Sequence, residues 1–254
     1  MKLAVSLEAL GGPFRSALSS AAKLGVGGVQ WNAVGELAPE RLTATGRREI
    51  QQLLSTHGLS LSALACPLRR GLDDPADLEP RLARIRDVMA LSFELGARLV
   101  VIEPGRLPPS DDPRADTLTE SLTNLSQYGD RTGTVLALQT GLDSGKTLVE
   151  WLGRFDTGSL GASFHPANWM IHEFDPIAEL PLLRGRVVYV QASDARRNRA
   201  DRVAAALPLG HGDLDWLQIA GSLAGIDYRG WVAADRAGSP ADIAAGVALL
   251  KRLM

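Results

Sequence analysis

The chain has 254 residues, of which 45% are hydrophobic and 22% charged, with a formal net charge of −2. No bulk cationic field exists to hold a nucleic-acid backbone, and the single cysteine, Cys66, excludes an intrachain disulfide. No run approaches the roughly 18 apolar residues of a membrane-spanning helix, and MKLAVSLEAL reads as a strand broken by Glu8 rather than a signal peptide. A cytoplasmic protein, monomer or homodimer, without nucleic-acid or membrane partners, is expected.

Length allows two domains of ordinary size or one α/β barrel, which needs about 32 residues for each of eight strand–helix units. The order of signals along the chain decides between them. A first strand is expected over residues 2–6. After it, a glycine recurs between a helix-like stretch and a β-rich run. These junctions are Gly25 before VGGVQW, Gly58 before LSLSAL, Gly96 before ARLVVIE and Gly133 before TVLALQ. Gly158 before SLGASF, Gly185 before RVVYVQ and Gly230 before WVAAD complete the series. Glycine tolerates the left-handed conformation that ends helices, so helix–Gly–strand is the expected punctuation of a βα repeat.

The intervening helices carry apolar residues at helical spacing. Phe14, Ala17, Leu18, Ala21 and Leu24 share one face, as do Leu82, Ile85 and Met89, and Ile243, Val247, Leu250 and Met254. Helix starts are expected at Pro13, Pro39, Asp143–Ser144, Asp175–Pro176, Asp213 and Ser239–Pro240. Most strands are unbroken apolar runs, as when both sheet faces are covered. The fold expected is a single-domain (β/α)8 TIM barrel over residues 1–254. An open doubly wound sheet is the competing arrangement, but no Gly-rich dinucleotide turn follows the first strand. Three loops after strands stand out for length, residues 66–77, 103–116 and 192–212. All lie on the rim where barrels of this class carry their sites.

The polar residues ending each strand are then the candidates: Ser6 or Glu8, the Gln30–Asn32 stretch, Cys66, Glu103, Gln139, His165, Gln191 with Asp194, and Asp235. LGASFHPAN (160–168), YVQASDA (189–195), PLGHGDLDW (208–216) and YRGWVAADR (228–236) complete the pattern. With these phrases the chain resembles, over essentially its whole length, the sugar phosphate isomerase/epimerase group of xylose-isomerase-like TIM barrels.

That resemblance implies a divalent metal, Mn, Mg or Zn, held by Glu, Asp, His and Glu at the ends of strands five to eight. It also implies proton transfer by two Glu carboxylates through an enediolate. This chain has Gln139, His165, Gln191 and Asp235 at those four positions. Formal charge facing the ion falls from about −3 to about −1, and neutral amides are weak ligands for hard cations. Gln139 cannot act as a base near neutral pH, while His165, Asp235 and Glu103 retain groups able to move a proton.

Other residues have two readings each. Trp31 and Trp169 follow strand ends and could stack on a sugar ring or pack beneath loops. Asn168, Asp194, Arg196 and His211 are candidate substrate contacts, against solvated loop polarity or helix capping. Arg197, Arg69, Arg70 and Arg106 lie on the same rim, where a guanidinium fork suits phosphate or carboxylate. Cys66 reads as a small buried hydrophobe. The expected partner is a small sugar or sugar phosphate. The expected activity is isomerisation or epimerisation with an altered metal site, or sugar binding without catalysis.

Overall fold

A computed structural model describes residues 1–197, 204–235 and 238–254. Eight parallel strands alternate with helices: β1 (Lys2–Ser6), β2 (Gly28–Asn32), β3 (Ser60–Ala65), β4 (Leu99–Ile102), β5 (Val135–Gln139), β6 (Leu160–Phe164), β7 (Val187–Ala192) and, last in the chain, β10 (Trp231–Ala234). Each pairs with its sequence neighbour, and β10 pairs back to β1 with Lys2 opposite Trp231 and Val5 opposite Ala234. That closing ladder makes the sheet a (β/α)8 barrel and excludes the open doubly wound arrangement. Two further short strands, β8 (Asp194–Arg196) and β9 (Ala205–Leu207), form an antiparallel hairpin inside the long loop after β7. Residues 198–203 of that loop, and Arg236 at the end of YRGWVAADR, lie outside the described residues.

Five of the seven junction glycines, Gly25, Gly58, Gly96, Gly133 and Gly185, adopt positive φ. Gly158 and Gly230 do not. Before β10 the left-handed residue is Asp227 (φ 61°), and Gly230 serves another purpose. A Cβ there would come within 2.5 Å of the Tyr228 hydroxyl, which donates to the Trp231 carbonyl. The glycine is required by a close approach rather than by a turn.

Helix α2 (Phe14–Lys23) buries Ala17, Leu18 and Ala21. Helix α4 (Leu78–Glu94) buries Leu82, Ile85 and Met89, and α10 (Pro240–Leu253) buries Ile243, Val247 and Leu250. Met254, expected on that last face, is exposed. Two helix starts shift from their expected places. Pro39 opens only a 3-10 turn, and α3 (Ala44–Thr56) begins after Thr43, whose hydroxyl accepts the Gly46 N–H. Likewise α9 (Trp216–Gly225) is capped by Asp215 rather than Asp213, because its carboxylate accepts the Gln218 N–H.

The strands' inner faces are mostly small. Ala4, Ala63, Val101, Ala137 and Ala233 surround one large side chain, Tyr189, which fills the centre. Its hydroxyl lies 2.9 Å from Ser62 Oγ, and Ser62 also donates to the Val29 carbonyl. Burial pushes the Tyr189 phenol far up, and the charge of Asp235 above it adds to the effect. This plug separates the packed lower barrel from the polar upper end.

Candidate functional site at the barrel mouth

Above Tyr189, the carboxyl ends of the strands enclose a cavity of about 270 Å³. Strand alternation decides which residues face it. In β2, Gln30 and Asn32 point in, while Trp31 points out and packs edge-on against Phe14, with ring centroids 5.2 Å apart. Gln139, His165, Gln191 and Asp235, from four successive segments of the barrel, converge on this mouth, as do Glu103 and Asn168. Ser6, Glu8 and Cys66 complete its floor and sides, and Ala206 of the β8–β9 hairpin borders it.

His165 sits at the turn from β6 into the short helix α7 (Pro166–Ile171). Its backbone N–H donates to Thr140 Oγ1 at 2.8 Å, and its Nδ1 accepts the Asn168 backbone N–H at 3.2 Å. The neutral ring must then carry its proton on Nε2, so the imidazole is set up to donate. Gln139 Nε2 donates to Glu103 Oε1 at 3.0 Å, and Ser163 Oγ donates to Gln191 Oε1 at 2.9 Å. Glu8 accepts the Asn32 backbone N–H at 2.6 Å and the Ser6 hydroxyl at 3.0 Å. The Oε1 of Gln30 is buried with no hydrogen-bond partner among the described residues. The described lining thus holds three carboxylates, an imidazole and five amides, of which Gln139 and Gln191 are held by neighbouring side chains.

Other sequence candidates lie elsewhere. Trp31 is fully buried under α2, and Trp169 is fully buried with its indole N–H donating to the Asp143 carbonyl at 2.8 Å. Asp194 is buried, and its carboxylate accepts the backbone N–H groups of Ala195, Gly210 and Leu214 at 2.8–3.2 Å. Arg196 is half-buried in β8, outside the mouth lining, and His211 Nε2 faces Asp242 at 3.7 Å. Glu8, Gln30 and Asn32 appeared in the sequence only as rim residues without a role. The polar–Trp–polar alternation of Gln30–Trp31–Asn32 was the signal that could have placed the amides inward and the indole outward.

The model for the xylose isomerase-like TIM barrel family matches residues 18–253. The chain belongs to the xylose isomerase-like TIM barrel family. Among solved structures, it is similar to a xylose isomerase domain protein from Planctomyces limnophilus at 21% identity and TM-score 0.88, covering 99% of this chain and 95% of that one. It is also similar to D-psicose 3-epimerase with D-tagatose from Clostridium cellulolyticum H10, at 14% identity and TM-score 0.82, covering 100% and 99% of the two chains. The probable 3-DHS dehydratase AsbF from Bacillus anthracis matches at 15% identity and TM-score 0.80, covering 99% of each. At these identities the likeness is one of fold. None of the curated protein sequences matches this chain.

Within this xylose isomerase-like barrel, the donor set does not suit a hard divalent ion. Of the four strand-end positions only Asp235 is a carboxylate. Gln191 Oε1 already accepts a hydroxyl proton, and Gln139 turns its amide N–H toward Glu103. Among the described residues no group of three or more His, Cys, Asp or Glu side chains is placed to hold a metal ion.

Proposed function

We propose that this barrel is a sugar isomerase/epimerase-like protein that takes a monosaccharide or its phosphate at the mouth and holds it by hydrogen bonds rather than through a metal. The observation that carries the reading is the ring of five amide side chains, Gln30, Asn32, Gln139, Asn168 and Gln191, around one cavity at the strand ends. The cavity volume, near the low end for small-molecule sites, suits one sugar unit. Ketohexoses are the first compounds to try, since a structural neighbour is a D-psicose 3-epimerase with D-tagatose.

The chemistry open to such a site is proton transfer next to a carbonyl. Asp235 and Glu103 are the candidate bases, and the Nε2–H of His165 is the candidate acid at the carbonyl oxygen. A second reading, sugar binding without turnover, is favoured by the Gln139 amide, which cannot take a proton where the family resemblance would put a base.

Calorimetric titration with D-tagatose, D-psicose and their phosphates, followed by proton NMR of the bound sugars in D2O, tests both readings. Binding with deuterium uptake at the carbon beside the carbonyl supports the enzyme. Binding without exchange supports the binding protein. No binding by any member of the set overturns both.

A further inference from the structure

Beside the mouth lies a larger cleft, about 720 Å³, between the loops that follow β2 and β3 and the start of α4. Pro67 lines both cavities, so the cleft and the mouth adjoin there. Its charged lining is four guanidinium groups, Arg69, Arg70, Arg81 and Arg84, against two carboxylates, Glu40 and Asp77. The local excess is cationic in a chain of net charge −2.

The four arginines are not equivalent. Arg81 donates to the backbone carbonyls of Ala76 and Asp74, which fastens the loop before α4, and its Nε is buried without a partner among the described residues. Arg70 pairs with Asp74 at 3.4 Å. Arg69 and Arg84 form no ion pair among the described residues. Arg84 lies beside the Cys66 thiol, which burial pushes up in pKa and the guanidinium partly draws back. Cys66 in turn lines the mouth. One guanidinium without an ion pair therefore lies beside Cys66, next to the mouth, and a second stands on the cleft wall.

We propose that this cleft, through Arg69 and Arg84, binds the anionic group of a substrate whose sugar part occupies the mouth. The proposal rests on the sugar reading above and narrows the substrate class to sugars bearing a phosphate or a carboxylate. Electrostatics places the anion here and not in the mouth. Glu8, Glu103 and Asp235 line the mouth and would repel it, whereas guanidinium forks match both oxyanions. A neutral sugar would fill the mouth and leave the cleft to solvent.

The test measures affinity for D-tagatose, D-tagatose 6-phosphate, D-fructuronate and inorganic phosphate in the wild-type chain, in Arg69→Ala/Arg84→Ala and in Arg69→Lys/Arg84→Lys. The wild type is expected to prefer a charged sugar over D-tagatose by about tenfold or more. The alanine pair should bring that ratio close to one, and the lysine pair should keep part of it. Preference for the phosphate over the acid, or the reverse, identifies which oxyanion the cleft takes. Equal affinity for charged and neutral sugars in the wild type overturns the proposal, as does a preference that survives the alanine pair. If no sugar binds, the sugar reading fails by itself. Inorganic phosphate bound by the wild type and lost in the alanine pair would then sustain the anion cleft alone, and no phosphate binding would remove that too.

Discussion

Gln139 and Glu103, on adjacent strands, meet at the mouth in a donor-to-carboxylate hydrogen bond of 3.0 Å. The pair works because one member is an amide. Replacing Gln139 by Glu would set two carboxylates at hydrogen-bond distance, and such a pair resists double ionisation.

For Gln139→Glu, proton uptake by the pair should therefore stabilise the folded variant at acid pH. That stability is lost as pH rises through the raised carboxylate range. Urea unfolding should show the variant close to wild type near pH 4 and weaker by up to about 1 kcal/mol near pH 8, a modest figure because the site is open to solvent. A variant equally stable at both values would contradict the observed contact. Added Mn²⁺ should leave the wild-type melting temperature unchanged, since the wild-type donors do not suit the ion.

His165 has two duties that two substitutions separate. Its Nδ1 caps α7, so His165→Ala should cost about 1 kcal/mol in thermal stability. Asn is a good capping residue, so His165→Asn should recover most of that loss. Neither variant should support deuterium exchange into a bound ketose, because the imidazole donor is gone from both. Exchange at wild-type rate in His165→Asn would remove the imidazole from the chemistry.

Asp194 holds three backbone N–H groups across the loop after β7. Asp194→Ala leaves these donors without their acceptor and should destabilise the protein by about 3 kcal/mol. Limited proteolysis should then cut within residues 195–214 faster than in wild type. A melting temperature within a degree of wild type would show that the carboxylate is dispensable there.

Asp143 gives a pH signature of opposite origin to an exposed ion pair. Burial raises its carboxyl above the ordinary value, offset in part by the Leu107 N–H at 2.9 Å and by the Arg106 and His172 charges. A raised folded-state value means its contribution is fully present below the unfolded carboxyl range, near pH 4, and is lost as pH rises through the folded value. Asp143→Asn keeps an acceptor for Leu107 and cannot ionise. Relative to wild type, it should therefore gain stability between pH 4 and pH 7 in chemical denaturation. A constant difference across that range would refute the assignment.

Eight strands and the ring of residues at their ends could be read from local pattern alone. Each strand is an apolar run bounded by a glycine or turn signal, and a parallel barrel repeats that unit without variation. Convergence of Gln139, His165, Gln191 and Asp235 on one cavity follows from strand order and closure, which the repeat implied. The helix start expected at Pro39 and the one at Asp213 moved by a few residues. In each case a nearby side chain, Thr43 or Asp215, offered the better cap.

Roles within the rim were not local. Asp194 and Asp235 are both acids just after strands, yet one is consumed by backbone donors up to 20 residues away and the other faces the cavity. Trp31 and Gln30 are neighbours in sequence, but strand pleat sends one under α2 and the other into the mouth. The meeting of Cys66 with Arg84, and of Pro67 with two cavities, depends on how the loop after β3 folds against the start of α4. Sequence pattern therefore settled the barrel and the ring of candidate residues, because periodicity and turn chemistry act over a few residues. Only the tertiary structure decided which side chains are spent on holding loops and which face a ligand, because burial and hydrogen-bond partners come from segments distant in the chain.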